Sequence, residues 1–295
     1  MKIGIAGTGR MGAALAGRLL GLGNAVNVWN RTAAKTDALA AAGASVAATP
    51  RELATGAELI ITMLTDAAAL DATYHGASGL LAGEVRGKLF VDMSTVRPEV
   101  ERALAARVRA RGAALIDCPV GGTVGPAKDG KLLGFVGGDP DDVARAKPVL
   151  AQLCRRVEHV GAVGAGASMK LAINLPLLVY YQALGEALSL CRSLDIEPAR
   201  LIDIFADTSG GPNMLKVRGS AIAATLRGQV TTPVTFDVDL IRKDLRTMLD
   251  EAAGLGVELP LTARTLDCYD AAARHGLGTS DATMLPAHWL QEGGR

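Results

Sequence analysis

A short glycine-rich segment near the start of the chain has the spacing of a nucleotide-binding turn. Its glycines follow the pattern GxGxxG, directly after the strand pattern Lys2–Ala6 and at the start of a helical pattern over 13–22. Glycine permits a tight turn and close approach of the backbone to a pyrophosphate, which the free N–H groups of the helix N-terminus then bind. Glycines often serve only tight turns, so the strand–turn–helix context carries the interpretation. We expect cofactor contacts at Gly7, Thr8, Gly9, Arg10, Met11 and Gly12.

The residues after the second predicted strand indicate which dinucleotide this turn would bind. An NAD-binding protein usually has Asp or Glu at the end of that strand, where the carboxylate accepts hydrogen bonds from the ribose. Here Ala25–Trp29 is followed by Asn30, Arg31 and Thr32, with Lys35 one turn further along. An arginine can bind a 2′-phosphate through two hydrogen bonds and stack on adenine, although these cations could equally be solvated charges at a helix start. The missing acid favours NADP(H) as the cofactor.

One lysine in an apolar helical pattern has the chemistry of a proton donor. Transfer of hydride to an aldehyde leaves an oxyanion, and a general acid within hydrogen-bond reach contributes about 10²–10⁴-fold to such a step. Lys170 precedes Asn174 by four residues, so both share one face of a helix. The spacing alone leaves two interpretations open: the pair orients an ammonium towards a carbonyl, or Lys170 extends its charge to solvent. The four histidines lie outside these motifs, and the sequence shows neither metal-ligand spacing nor a Ser-His-Asp arrangement.

The elements that would position these residues form two parts with different periodicity. In the first part, short β-branched runs alternate with amphipathic helical patterns, which predicts βαβ units and a mostly parallel sheet. After Gly166, long apolar-periodic stretches follow at about 168–194, 198–206, 213–227, 238–255 and 260–275. We predict the α/β class: a doubly wound Rossmann-type domain over 1–164, then an all-α domain over 165–295, joined by a helix beginning near Gly166. The predicted strands are Lys2–Ala6, Ala25–Trp29, Leu59–Met63, Leu89–Asp92, Ala114–Asp117 and Leu132–Val136.

Composition restricts the class of protein further. The 295 residues suffice for two ordinary domains, and 31 basic against 30 acidic residues argue against a nucleic-acid partner. Polar residues interrupt the most apolar stretch, Leu171–Cys191, which therefore predicts a helix buried in protein and not a membrane span. The N-terminus runs straight into a strand pattern, without room for a targeting peptide. Widely spaced cysteines indicate reduced thiols, so we expect a cytoplasmic protein.

Four further motifs follow the glycine-rich turn: Met63–Asp66, Asp92–Val96, Asp117–Thr123 and Gly164–Asn174. Together with that turn, they resemble the β-hydroxyacid dehydrogenase family. They agree with the family in order and spacing over essentially the whole chain. The detail is most similar to the glyoxylate and succinic semialdehyde reductase branch. The similarity to this branch lies in Val28–Thr32, Asp92–Val96, Pro126–Gly130 and Leu277–Gly278.

The resemblance implies an NADPH-dependent enzyme that reduces a small aldehyde acid to the hydroxyacid. It implies a homodimer or homotetramer in which Lys170 is the catalytic lysine and Asn174 supports it. The remaining residues implied by the resemblance are Met63, Leu64, Thr95 and Lys243 for the cofactor and Gly121, Gly122, Thr123, Phe236 and Asp244 for the substrate.

One position departs from the family, and several alternatives stay open. The family commonly has Ser where this chain has Gly121, and that hydroxyl helps to bind the substrate carboxylate, so the identity of the acid stays open. A 3-hydroxyisobutyrate or tartronate-semialdehyde type dehydrogenase is the first alternative; the missing acid after the second strand counts against an NAD-linked version. An imine reductase usually replaces the lysine, so Lys170 counts against it. A non-catalytic NADP-binding module would not need Lys170 and Asn174.

Overall fold

The computed structural model describes residues 1–292 and divides into two compact units. The first unit comprises Met1–Leu171, and the second begins at Ala172. Within the described residues, the first unit contains one sheet of nine strands. Its central strands are mostly apolar and are buried along their whole length, as parallel strands covered by helices on both faces require. The strands are β1 (Lys2–Ala6), β2 (Ala25–Trp29), β3 (Ser45–Val46), β4 (Leu59–Thr62), β5 (Leu89–Asp92), β6 (Ala114–Asp117), β7 (Val120–Gly121), β8 (Leu132–Gly137) and β9 (Cys154–Gly161).

The strand order places two loops where a ligand is expected. The parallel part of the sheet runs β3-β2-β1-β4-β5-β6. β8 continues the sheet antiparallel to β6, and it pairs antiparallel with β7 and parallel with β9. The order reverses between β1 and β4, and open α/β sheets bind ligands at the carboxyl ends of the strands at such a point. The segments that follow Ala6 and Thr62 begin there.

Helices cover both faces of this sheet. Leu59 and Ile61 join one buried cluster with Leu15 and Leu19 of the first helix. Ile60, between them, belongs to a second cluster, because neighbouring side chains of a strand point to opposite faces. The helices of the first unit are α1 (Arg10–Gly21), α2 (Asp37–Ala41), α3 (Pro50–Thr55), α4 (Ala67–His75), α5 (Pro98–Ala110), α6 (Val124–Asp129) and α7 (Pro140–Leu153).

The second unit is helical, and a long helix leads into it. This helix, α8, spans Ala165–Leu190 and crosses the division between the units. By length and composition alone it could cross a membrane, a test that the core helix of a soluble protein also passes. Its buried residues include the polar Asn174 and Gln182, which favours the core-helix interpretation. The other helices are α9 (Pro198–Ala206), α10 (Asn213–Leu226), α11 (Val238–Leu255), α12 (Pro260–Ala272) and α13 (Met284–Glu292).

The predicted fold class is confirmed: a Rossmann-type sheet unit is followed by a helical one. All six predicted strands are present, and the joining helix begins at Ala165, next to the predicted Gly166. The sequence patterns did not predict β3, β7, β9 or α13.

Candidate active site

The glycine-rich turn after β1 has the shape that a dinucleotide requires. Gly7 has φ +96°, and a Cβ there would lie 2.4 Å from the carbonyl oxygen of Met63. A Cβ on Gly12 would lie 1.9 Å from the carbonyl oxygen of Gly7, so this glycine lets α1 pack against the turn. A Cβ on the exposed Gly9 would meet no described atom within 4 Å. The fold therefore requires glycine at the first and third positions, whereas the second leaves space for a ligand.

The N-terminus of α1 and the end of β2 complete this part of the site. Arg10 begins α1 and is exposed, and the N-cap residue, Gly9, has no side chain that could cap the first turn. Asn30 accepts the Thr8 N–H at 3.0 Å and donates to the Thr32 carbonyl at 3.0 Å. The Thr8 hydroxyl donates to the Lys35 carbonyl at 3.1 Å. These bonds hold the segment with the predicted phosphate-binding cations against the glycine turn, where a nicotinamide dinucleotide fits.

A buried aspartate that the sequence analysis did not single out fixes the loops after β4 and β5. Asp92 accepts the Ser94 N–H at 2.8 Å and the Thr62 hydroxyl, and it is fully buried. The Ser94 hydroxyl in turn accepts the Leu64 N–H at 3.0 Å. Met63 and Thr95, the other two residues predicted for these loops, are half-buried. The predicted cofactor residues therefore lie on two loops that one carboxylate ties together.

A second carboxyl group is buried beside Asp92. Glu101 of α5 is fully buried, and burial together with the charge of Asp92 raises the pKa of Glu101 well above its usual range. Burial also raises the pKa of Asp92, but hydrogen bonds from Thr62 and Ser94 oppose that effect. Glu101 is therefore the group of the pair that retains its proton more strongly.

Replacing Glu101 by glutamine is expected to preserve or raise the free energy of unfolding at pH 7. The folded protein keeps a proton on Glu101 that the unfolded chain releases above about pH 4.3. The free energy of unfolding therefore falls as pH rises from that value towards the raised pKa. Glutamine has no such proton, so the advantage of Glu101→Gln should grow with pH over this window. Denaturant midpoints at a series of pH values measure it.

Glu99→Gln is the matched control for this experiment, because Glu99 is exposed on the same helix. Its pH dependence should follow the wild type. A stability difference between Glu101→Gln and the wild type that stays constant with pH, or moves in favour of the wild type as pH rises, would mean that folded Glu101 does not retain its proton.

The predicted catalytic lysine lies against the predicted substrate turn. Lys170 is half-buried on α8, and its Nζ donates a hydrogen bond to the carbonyl oxygen of Val120 at 2.7 Å. Gly121 and Gly122 follow Val120 directly. Gly122 has φ +123°, and a Cβ there would lie 2.8 Å from the Leu132 side chain. The exposed Gly122 and the Lys170 ammonium therefore lie at the same turn, a combination that a small carboxylate with a neighbouring carbonyl can use.

Thr123 extends this turn. It is half-buried and directly precedes α6, and it has extended backbone geometry. Its side chain makes no capping bond to the first turn of α6. The hydroxyl therefore stands next to Gly122 without being committed to that helix.

The second unit contains its own group of predicted site residues. Asp244 of α11 is buried, and its carboxylate lies 2.6 Å from the Lys243 Nζ. The Asn174 amide lies 3.4 Å from the other carboxylate oxygen of Asp244, a long hydrogen bond. Phe236 is half-buried, and its carbonyl accepts the Ala282 N–H at 2.9 Å. The Lys243–Asp244 pair, which spacing alone would make a solvated helix pair, thus has a buried carboxylate bonded to Asn174.

The amino-acid sequence matches two family models in succession. Residues 2–161 match the NAD binding domain of 6-phosphogluconate dehydrogenase. Residues 164–288 match the model described as the NAD-binding part of NADP-dependent 3-hydroxyisobutyrate dehydrogenase. Together they account for nearly the whole chain.

Individual proteins of known name are similar over the same length. Glyoxylate/succinic semialdehyde reductase 1 of Arabidopsis thaliana is 31% identical over 97% of this chain and 97% of its own. The 3-hydroxyisobutyrate dehydrogenase of Pseudomonas aeruginosa is 32% identical over 92% of each chain. The solved structure of 3-hydroxyisobutyrate dehydrogenase from Mycobacterium tuberculosis with L-serine has a TM-score of 0.84 at 27% identity, covering 97% of this chain and 98% of that one.

Proposed function

Because this chain belongs to the β-hydroxyacid dehydrogenase family, we propose that it reduces a small aldehyde acid to the hydroxyacid with NADPH as hydride donor. The substrate class is that of glyoxylate or succinic semialdehyde. The observation that carries the proposal is the Lys170 ammonium, which lies 2.7 Å from Val120 at the start of the Gly121–Gly122 turn. One ammonium group at this position binds the substrate carboxylate and donates a proton to the adjacent carbonyl oxygen.

The cofactor is NADP(H). The family model over residues 164–288 is described as that of an NADP-dependent enzyme. An NAD-binding protein would have an acidic residue at the end of β2, where this chain has Asn30 and Arg31. Arg31 is exposed, next to the Asn30 side chain that holds the glycine turn. A guanidinium in that place suits a 2′-phosphate, whereas it gives no acceptor to a ribose hydroxyl.

Within this mechanism the chain binds the acid and supplies a proton. NADPH, when bound, would supply the hydride that the aldehyde carbon gains. Lys170 donates the proton that the carbonyl oxygen takes up. The Gly121–Gly122 backbone and the Thr123 hydroxyl bind the carboxylate. These groups take the place of the missing serine hydroxyl. The Val120 carbonyl keeps the ammonium directed at this turn before the substrate arrives. Stabilisation of charge as it forms is the largest contribution expected from such groups.

The second candidate is a 3-hydroxyisobutyrate or tartronate-semialdehyde type dehydrogenase. The match of residues 164–288 to the 3-hydroxyisobutyrate dehydrogenase model favours it. The same residues would serve the oxidation, with Lys170 accepting the proton that the hydroxyl releases. The two named relatives are 31% and 32% identical to this chain, so their similarity does not choose between the substrates.

Initial rates on a panel of aldehydes test the proposal. NADPH and NADH are each offered with glyoxylate, succinic semialdehyde and methylglyoxal, and 3-hydroxyisobutyrate is offered with NADP⁺. We expect NADPH to outperform NADH and the two aldehyde acids to outperform methylglyoxal, which has no carboxylate. Arg31→Ala should narrow the preference for NADPH, whereas Arg51→Ala, a substitution of an exposed arginine at the start of α3, should not. A faster reaction with 3-hydroxyisobutyrate would favour the second candidate, and a preference for methylglyoxal would exclude the carboxylate site.

A further inference from the structure

A second buried aspartate fastens the start of the helix that carries Lys170. Asp117 ends β6 and is fully buried. One carboxylate oxygen accepts the Gly164 N–H at 2.7 Å, and the other accepts the Ala167 N–H at 2.8 Å. A Cβ on Gly137 or Gly166 would lie 2.4 or 2.8 Å from these oxygens. Two glycines thus make room for a carboxylate that satisfies the first turn of α8.

This contact and the lysine contact close a small ring. Asp117 lies three residues before Val120, and Ala167 lies three residues before Lys170. The hydrogen bond between Asp117 and Ala167 joins the two segments at one end, and the Lys170–Val120 hydrogen bond of 2.7 Å joins them at the other end. Two short segments joined at both ends have little freedom to slide past each other. The position of the ammonium relative to the Gly121–Gly122 turn therefore depends on both bonds.

We propose that Asp117 is a positioning residue for the reaction: its carboxylate holds the first turn of α8 to the end of β6 and so sets where the Lys170 ammonium lies. This inference rests on the proposed role of Lys170 as proton donor. A carboxylate can accept both N–H groups. A protonated carboxyl, or an asparagine, accepts one and presents a donor to the other. Loss of one bond lets the helix start shift, and a displacement of about 1 Å at a reacting group can cost on the order of 10²-fold in rate.

The electrostatic surroundings of Asp117 make this contact sensitive to pH. Burial raises its pKa from the usual range to about 6, against the lowering effect of the two N–H donors. The titratable and charged groups that face it are Asp92 of β5, Glu101 of α5 and the adjacent Cys118, with Arg102 of α5 beside Gly164. As pH falls through about 6, Asp117 takes up a proton and one of the two bonds is lost.

Global stability has the opposite pH dependence. The folded-state pKa of about 6 lies above the unfolded-state value, so Asp117 contributes most to the free energy of unfolding at low pH. That contribution is lost as pH rises through about 6. A loss of rate below pH 6 would therefore not reflect unfolding caused by this group.

The test compares kcat of the wild type and Asp117→Asn for NADPH-dependent reduction of glyoxylate or succinic semialdehyde between about pH 5 and about pH 8. At pH 7.5 the variant is expected to lose on the order of 10- to 100-fold in kcat, with the Kd for NADPH unchanged. The ratio of the two rates should shrink as pH falls through about 6, because the protonated wild type then resembles the variant. Asp139→Asn is the control, since Asp139 caps α7 in the same unit and its loss should leave both rate and pH profile unchanged.

Each outcome bears on the inference separately from the proposed function. A constant ratio, or an unchanged kcat in a folded Asp117→Asn protein, overturns it. Should the variant fail to fold, the wild type decides: a rate that declines through about pH 6 supports the role, and a flat rate overturns it. Lys170→Ala is measured in parallel, and full activity in that variant would defeat the proposed function itself.

Discussion

Replacing Lys170 by alanine is expected to lower kcat for the aldehyde acids by about 10²–10⁴-fold, the contribution of a well-placed general acid. NADPH should still bind with nearly unchanged affinity, because the glycine turn and the Asn30 contact do not involve α8. The substitution also removes the ammonium that donates to the Val120 carbonyl at 2.7 Å in the wild type. The measurements are kcat at saturating substrate and the Kd for NADPH by fluorescence titration.

Lys147→Ala provides the matched control, since Lys147 is an exposed lysine of α7 in the same unit. It should retain the full rate. A Lys170→Ala protein that keeps its turnover would show that the proton comes from another group or from solvent. If the protein is a non-catalytic NADP-binding module, both variants should bind NADPH as the wild type does. Neither the wild type nor the variants should then turn over an aldehyde acid.

Most of the sheet could be predicted from the sequence because its central strands are mostly apolar runs. β1, β2, β5 and β6 have the predicted bounds, and β4 and β8 differ by one residue at the end. β3 and β7 have two residues each, too few for a period to be visible. β9 contains Arg155, Arg156, Glu158 and His159, and it pairs only with β8 among the described strands. Charged residues are typical of an edge strand, and they obscure the alternation of apolar and polar residues by which a strand is predicted.

The residues of the candidate site also differ in whether nearby or distant parts of the sequence determine their contacts. The glycine turn was predictable because its geometry is contained in a single strand–turn–helix segment. Asp92 and Asp117 were not assigned roles, since their partners are 30 residues away for Thr62 and 47 and 50 residues away for Gly164 and Ala167. One pattern could have identified both: each is a carboxylate at the end of an otherwise apolar strand. Such a group must find hydrogen-bond donors, and near the carboxyl edge of a parallel sheet these come from functional loops.

The burial of Asp244 shows what spacing cannot provide. Lys243 and Asp244 are neighbours on a helix, for which sequence predicts two solvated charges. The structure buries the carboxylate, pairs it with Lys243 at 2.6 Å and brings Asn174 to 3.4 Å from it. A buried carboxylate is favourable only when paired and hydrogen-bonded. Asn174, which the resemblance assigns a supporting role, therefore has a hydrogen-bond partner within its own unit.

Replacing Gly9 by alanine is expected to weaken NADPH binding without destabilising the fold. The added methyl group would meet no described protein atom within 4 Å, and Gly9 has φ −66°, which any residue adopts. The methyl would instead occupy the space above the turn where a pyrophosphate approaches the N–H groups of α1. We expect a rise in the Kd for NADPH of about 100-fold, equivalent to the loss of about 3 kcal/mol of binding free energy. Fluorescence titration measures the Kd, and thermal unfolding of the unliganded protein measures stability.

Gly17→Ala and Gly12→Ala are the controls for this test. The first adds a methyl group in open space, and the second adds one that clashes with the protein, so neither copies a methyl group at the cofactor site. Gly17 lies on the same helix and also has no described atom within 4 Å of its Cβ position, so its substitution should leave the Kd unchanged. A Cβ on Gly12 would lie 1.9 Å from the Gly7 carbonyl oxygen, so that substitution should reduce both stability and binding. Only Gly9→Ala should lose binding while keeping the melting temperature of the wild type. If Gly9→Ala binds NADPH as tightly as Gly17→Ala does, the dinucleotide does not approach the backbone at this turn.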